Sequence, residues 1–255
     1  MTTQLLIYQN IVPVSKQKHE NWYIKPTNSY EFAREINAVP LTLVEFVRAS
    51  SEYPIVFTGT EDAVMPAVVL GVKNQQNLYL NPDNSWRTKY IPAFIQRYPF
   101  VFSSQDQQQF TLCLDESYAG WNQEGRGERL FDAEGEQTQY LKTIVEFLRQ
   151  YQVQFQRTQI FCKKIKELDL IEPMKVQMRI GEKEPASLTG FSVISRERLK
   201  KLNAEQVHGL FQTDELELIF RHLYSLDKFS ELVEQFRSQD GSSETVIPEV
   251  VESAS

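Results

Sequence analysis

The chain has 255 residues, enough to bury a substantial core, and its balance of 41% hydrophobic and 24% charged residues at a mean hydropathy of −0.41 is that of an ordinary soluble globular protein. A formal charge of −7 and an isoelectric point near 5.2 exclude a general electrostatic nucleic-acid binder, which needs a basic footprint. No stretch approaches the ~20 apolar residues of a membrane span, and the N-terminus lacks the basic and apolar regions of a signal peptide.

In chain order, 4–14 reads as an opening strand closed by Val12-Pro13-Val14, and 21–26 as a second. Ser29 can cap a short helix over 29–36, with Tyr30, Phe32, Ala33 and Ile36 as its apolar contacts. Pro40, which fixes its own φ and has no N–H, ends that stretch. A further helix is predicted over 42–49, and the apolar run 53–57 predicts a buried strand. Residues 67–72 and 78–80 suggest a hairpin across a polar turn, followed by the turn Asn81-Pro82-Asp83-Asn84. A short helix over 90–98 would hold Pro92 in its first turn. Strands follow at 100–102 and 110–114.

Residues 115–136 are polar and Gly-containing, and read as the longest loop in the body of the chain and the one possible sub-boundary. The strongest helical signal covers 138–168, where Leu141, Ile144, Val145, Leu148, Tyr151, Phe155, Cys162, Ile165 and Leu168 recur at three- and four-residue steps. A break near 156–158 would divide it into two helices. Period-two alternation over 174–180 predicts a strand, 181–185 a turn and 188–194 the returning arm. Asn203 and Gln206 form a capping-box pattern ahead of a helix over 204–211. Leu216, Ile219, Phe220 and Leu223 share a face of the next helix, and Phe229, Leu232, Val233 and Phe236 continue an apolar face. From 238 the chain is Ser, Gly, Glu and Pro with no aromatic residue, so 238–255 is expected to be a disordered tail. The expected class is α+β: a strand-rich N-terminal half, then a long helix, a C-terminal hairpin and further helices.

A series of proline signatures runs through this frame: Val12-Pro13, Ala38-Val39-Pro40-Leu41, Tyr53-Pro54-Ile55-Val56-Phe57, Tyr90-Ile91-Pro92-Ala93-Phe94 and Arg97-Tyr98-Pro99-Phe100. With Asn77-Leu78-Tyr79-Leu80, Leu130-Phe131-Asp132, Gly135, Leu170-Ile171-Glu172-Pro173 and Gly190-Phe191, their order and spacing resemble the bacterial SapC family over about 5–236. The resemblance implies a single domain over 1–237. It also implies an association with surface-layer gene clusters and with neighbours that modify or take up other molecules. It transfers no catalytic residue.

The residues that could carry chemistry do not converge in sequence. Cys113 and Cys162 match no metal spacing and lie in apolar stretches, as buried inert thiols do. His19, His208 and His222 lie in different elements without a ligand spacing, so no metal or cofactor is expected. Gly125-Arg126-Gly127 lacks the glycine pattern and the lysine of a phosphate loop. Asp132, Glu134 and Glu136 precede the long helix, where carboxylates favour the macrodipole. Lys163, Lys164 and Lys166 read as a solvated face.

Two readings of the aromatic segment remain open. Trp86, Tyr90, Phe94, Tyr98 and Phe100 can fill a core. Alternatively Trp86, Arg87, Tyr90 and Arg97 line an exposed groove, since Trp, Tyr and Arg are the residue types that dominate interfaces. The expectation is a cytoplasmic accessory protein without intrinsic catalysis that binds a protein or peptide partner, with signal-less export left open. Its candidate contacts are Trp86, Arg87, Tyr90 and Arg97, with Trp121 and Arg126 of the long loop. The rivals are an enzyme of unrecognised type with Asp132 and Glu134 near its site, linked to peptide or metabolite modification, and a surface-layer or secretion component. Oligomeric state is not legible.

Overall fold

The computed structural model describes residues 5–60, 63–104, 109–178, 186–240 and 249–252. The N-terminal half is built from short strands: β1 (Ile11–Pro13), β2 (Tyr23–Ile24), β3 (Ala38–Pro40), β4 (Ile55–Thr58), β5 (Met65–Val69), β6 (Phe100–Ser103), β7 (Thr111–Asp115), β8 (Trp121–Asn122) and β9 (Glu128–Arg129). Its helices are single turns: α1 (Lys16–His19), α2 (Phe46–Ala49) and α3 (Ala93–Gln96). The second half holds α4 (Gln139–Glu167), the hairpin β10 (Ile171–Met178) and β11 (Ala186–Ile194), then α5 (Arg196–Lys200), α6 (Ala204–Gln212), α7 (Glu215–Ser225) and α8 (Lys228–Asp240). A last strand, β12 (Glu249–Glu252), closes the list. The class is α+β.

Several elements depart from the sequence reading. The opening strand shrinks to β1, and the helix expected over 29–36 is a single 3-10 turn, Glu31–Ala33. The hairpin expected over 66–80 does not form. Its first arm, β5, instead pairs with β4 on one side and β3 on the other. This choice buries Ala67, Val68 and Val69 on both faces of a sheet interior, which one short hairpin cannot do. The long loop 115–136 contains β8 and β9, which flank β2 as a three-stranded sheet.

The expected break in the long helix is absent. α4 runs unbroken for 29 residues, roughly 43 Å at 1.5 Å per residue, with Thr138 as its N-cap accepting from Leu141 N. Its two halves serve different cores. Leu141 and Leu148 pack with Phe100, Leu114 and Leu130 beneath the small sheets. Phe161, Cys162 and Ile165 pack with Leu210, Ile219 and Leu223 of α6 and α7.

The principal sheet has the order β12-β10-β11-β4-β5-β3, all antiparallel. Its inner strands and α8, through Phe229, Leu232, Val233 and Phe236, form the largest core. The turn predicted at 181–185 lies outside the described residues. The stretch 238–255, expected to be disordered, begins inside α8 and contains β12, whose backbone pairs with the open edge of β10.

Candidate functional site

The aromatic–proline segment is core. The Trp86 indole N–H donates to the Tyr53 hydroxyl at 2.8 Å, and that hydroxyl donates to the Tyr90 carbonyl. The Tyr90 hydroxyl donates to Glu45 Oε1 at 2.7 Å. Arg97 is only 3% exposed, its guanidinium over Phe94 at 4.2 Å, Tyr151 at 5.1 Å and Tyr8 at 5.6 Å. Trp86 and Tyr90 therefore satisfy their polar ends inside the protein, Arg97 lies buried against three rings, and these residues do not share an open groove with the exposed Arg87. Trp121 is half-buried, with its N–H on the Asp115 carbonyl at 2.8 Å, and packs against Trp22 and Phe100. Arg126 is exposed and pairs with Glu124 at 2.6 Å. Trp86 and Tyr90 meet through Tyr53, and Trp121 and Arg126 belong to the β8 turn.

The groups with acid–base or nucleophilic potential are likewise committed. His19 accepts from Ser15 N at 3.1 Å through Nδ1 and faces Glu116 through Nε2 at 3.4 Å; burial pulls its pKa down against the pull of Glu116. His222 is buried and accepts from Ile194 N at 3.0 Å, and burial pushes its pKa to about 3. Burial raises the Cys113 thiol and pushes Cys162 up to about 12. Asp132 Oδ1 accepts from the amides of Glu134 and Glu136, so it shapes a turn, and Glu134 is exposed. Among the described residues no group of three or more His, Cys, Asp or Glu side chains could hold a metal ion.

The strongest surface feature lies elsewhere, and it is built by a clamp. Glu45 is buried, yet its carboxylate receives four donors: Thr42 N and Oγ1 on one oxygen, each at 2.8 Å, and Tyr90 OH and Ala93 N on the other, each at 2.7 Å. That set stabilises a buried charge through strong hydrogen bonds. It pins the 3-10 turn Leu43–Glu45 from below. From the side, Leu43 N donates to Thr158 Oγ1 of α4 at 3.0 Å. With both neighbours fixed, Val44 points outward and is 57% exposed.

Opposite Val44, Ile160 of α4 is 68% exposed, because Thr158, Phe161 and Cys162 take the inward face of the helix. The start of α7 forms the third wall. Asp214 adopts a left-handed φ of +58° and makes no side-chain cap, while Glu215 is tied to Lys164 of α4 and to Thr213. The result is a groove of about 380 Å³ with Leu43, Val44, Ile160 and Leu218 as its apolar lining and Arg157 and Asp214 among its polar residues. The Oε1 atom of Gln154, also in the lining, is buried with no hydrogen-bond partner.

Two larger cavities exist, of about 570 Å³ beside Cys162 and about 540 Å³ beside Phe102 and Phe110. The groove differs from both in having two aliphatic side chains that are more than half exposed, Val44 and Ile160, in its lining. The sequence held one trace of it. Thr42 and Glu45 have capping-box spacing, which marks the start of the turn that carries Val44. Ile160 also falls off the apolar stripe of α4. Neither hint says that the two meet.

A family model described as SapC matches residues 14–232. No curated protein and no solved structure matches the chain.

Proposed function

The chain belongs to the SapC family, and from that premise we propose that it is an accessory protein without intrinsic catalysis, which binds a protein or peptide partner through the groove between Val44, Ile160 and the start of α7. The observation that carries this reading is the exposure of two aliphatic side chains over a concave, partly apolar surface whose walls are held rigid. Covering an aliphatic side chain of this size stabilises by about 1.5–3 kcal/mol, and a groove that is already formed avoids the ordering cost of making one. The groove also offers what a peptide can use: an acid at Asp214 and a base at Arg157.

The test is recovery of partners from the native host by tagged wild type beside Val44→Asp/Ile160→Asp, with folding of both verified by circular dichroism. A protein held by wild type and lost from the folded variant supports the reading. Equal recovery by both sinks it.

A further inference from the structure

The outer edge of the principal sheet is covered by very little. β10 has eight residues, and its partner β11 meets the rest of the sheet only at Ser192 opposite Phe57. Met174, Val176, Phe191 and Val193 seat the hairpin on the principal core, and β10 lies outside β11, so its far side is an edge of the β3–β5, β4 and β10–β11 part of the sheet. A strand edge of that kind presents a row of backbone N–H and C=O groups that template the addition of another strand. Pro173, exposed and without an N–H, blunts only the beginning. Over Met174–Gln177 the cover is β12, antiparallel, with Met174 opposite Glu252, Lys175 opposite Val251, Val176 opposite Val250 and Gln177 opposite Glu249.

β12 is four residues long, pairs with β10 alone, and follows the connecting sequence Gly241-Ser-Ser-Glu-Thr-Val-Ile-Pro248. Removing it from the edge disturbs no other strand pairing.

We propose that the β10 edge is a strand-acceptor site for an extended segment of a partner protein, and that β12 is the chain's own competing occupant of that site. The resident strand defines the ligand chemistry: an extended antiparallel segment with β-branched apolar residues flanked by acids, as in Glu249-Val-Val-Glu252. A second copy of the chain is the weaker occupant for a physical reason. Its β12 makes the same bonds in the same register, but without the millimolar effective concentration that a short tether supplies. A partner segment that also pairs at Met178, the last residue of β10, forms a ladder contact that β12 does not, and so can displace it. This deepens the partner-binding reading but uses a surface other than the groove, so the failure of either leaves the other standing.

The test uses the full chain. In Val250→Pro/Val251→Pro one of the two changes falls on an amide that faces β10, since alternate residues of an antiparallel strand donate to the same neighbour, and the paired prolines disfavour re-pairing, which frees the β10 edge while the tail stays attached. The probe is a fluorescently labelled peptide of residues 245–255, titrated against both proteins by polarisation. The expected result is binding to the variant at least tenfold tighter than to wild type. In hydrogen exchange, the amides of 174–177 should speed up in the variant and slow again when peptide is added. Equal binding by the two proteins, or no binding by a variant with wild-type circular dichroism, overturns the proposal. So does a variant that loses cooperative unfolding, or wild-type amides at 249–252 protected as strongly as those of β4 and β5, since β12 would then be a fixed part of the fold. A concentration-dependent wild-type dimer that the prolines abolish would assign the edge to a second copy and overturn the partner assignment.

Discussion

The segment 86–100 and the groove beside Val44 make opposite use of their residues. The first is rich in Trp, Tyr and Arg, the types that dominate interfaces, yet Trp86 and Arg97 are buried and Tyr90 and Tyr98 half-buried. The second is aliphatic and unremarked in the sequence, yet it is open to solvent. The difference is set by where polar ends find partners. Trp86, Tyr90 and Tyr53 form a connected internal chain of hydrogen bonds, so their large apolar bodies can be buried at no polar cost. Val44 has no polar end to satisfy. Its exposure follows from the anchoring of Leu43 and Glu45 on either side.

The largest effect should come from the buried side of this comparison. Trp86→Ala removes a core indole and strands the Tyr53 hydroxyl network. A loss of about 3–5 kcal/mol is expected, with a fall in thermal midpoint of roughly 10 °C or more. A midpoint within 2 °C of wild type, by the order-of-magnitude conversion of stability to midpoint, would mean that Trp86 is not core after all.

Glu45→Ala comes next. It leaves four donors facing a void, for an expected loss of about 2–3 kcal/mol in chemical denaturation. Because Glu45 also orients Val44, this variant links the two regions and should weaken partner binding while it lowers stability.

His222 sharpens the comparison through pH. Burial holds its folded pKa at about 3, below the ordinary histidine value of 6.5, so the unfolded chain takes up the proton first as pH falls. The stability it contributes is complete above 6.5 and declines between 6.5 and 3, by about 1.4 kcal/mol per pH unit. His222→Gln, whose amide oxygen can still accept from Ile194 N, should flatten the slope between pH 6.5 and 5 relative to wild type. Identical slopes for both proteins would show that His222 is accessible to protons when folded.

The smallest stability change belongs to the exposed side. Val44→Asp/Ile160→Asp should stay within about 0.5 kcal/mol of wild type per site and still lose the partner. Arg126→Ala should change neither property, since its ion pair with Glu124 is exposed.

Elements with a strong local signature were legible from residues alone. The long helix announced itself through its apolar stripe. The β6–β7 pair, the β10–β11 hairpin and the Asn203 capping box were equally readable. So was the family, since the spacing of proline signatures is a property of the chain itself. What failed were the choices between partners. β5 could pair within a local hairpin or between β3 and β4, and only the bulk of the sheet decides which buries more.

The same division holds for function. By itself the amino-acid order determined the α+β class, the lack of an apolar span of membrane length and the membership of one family, all of which depend on composition, period and spacing along the chain. Whether Trp86 or Val44 faces solvent depends on contacts between residues far apart in sequence, such as Leu43 with Thr158 and Glu45 with Ala93. Exposure is a property of packing, and only the tertiary structure could decide it.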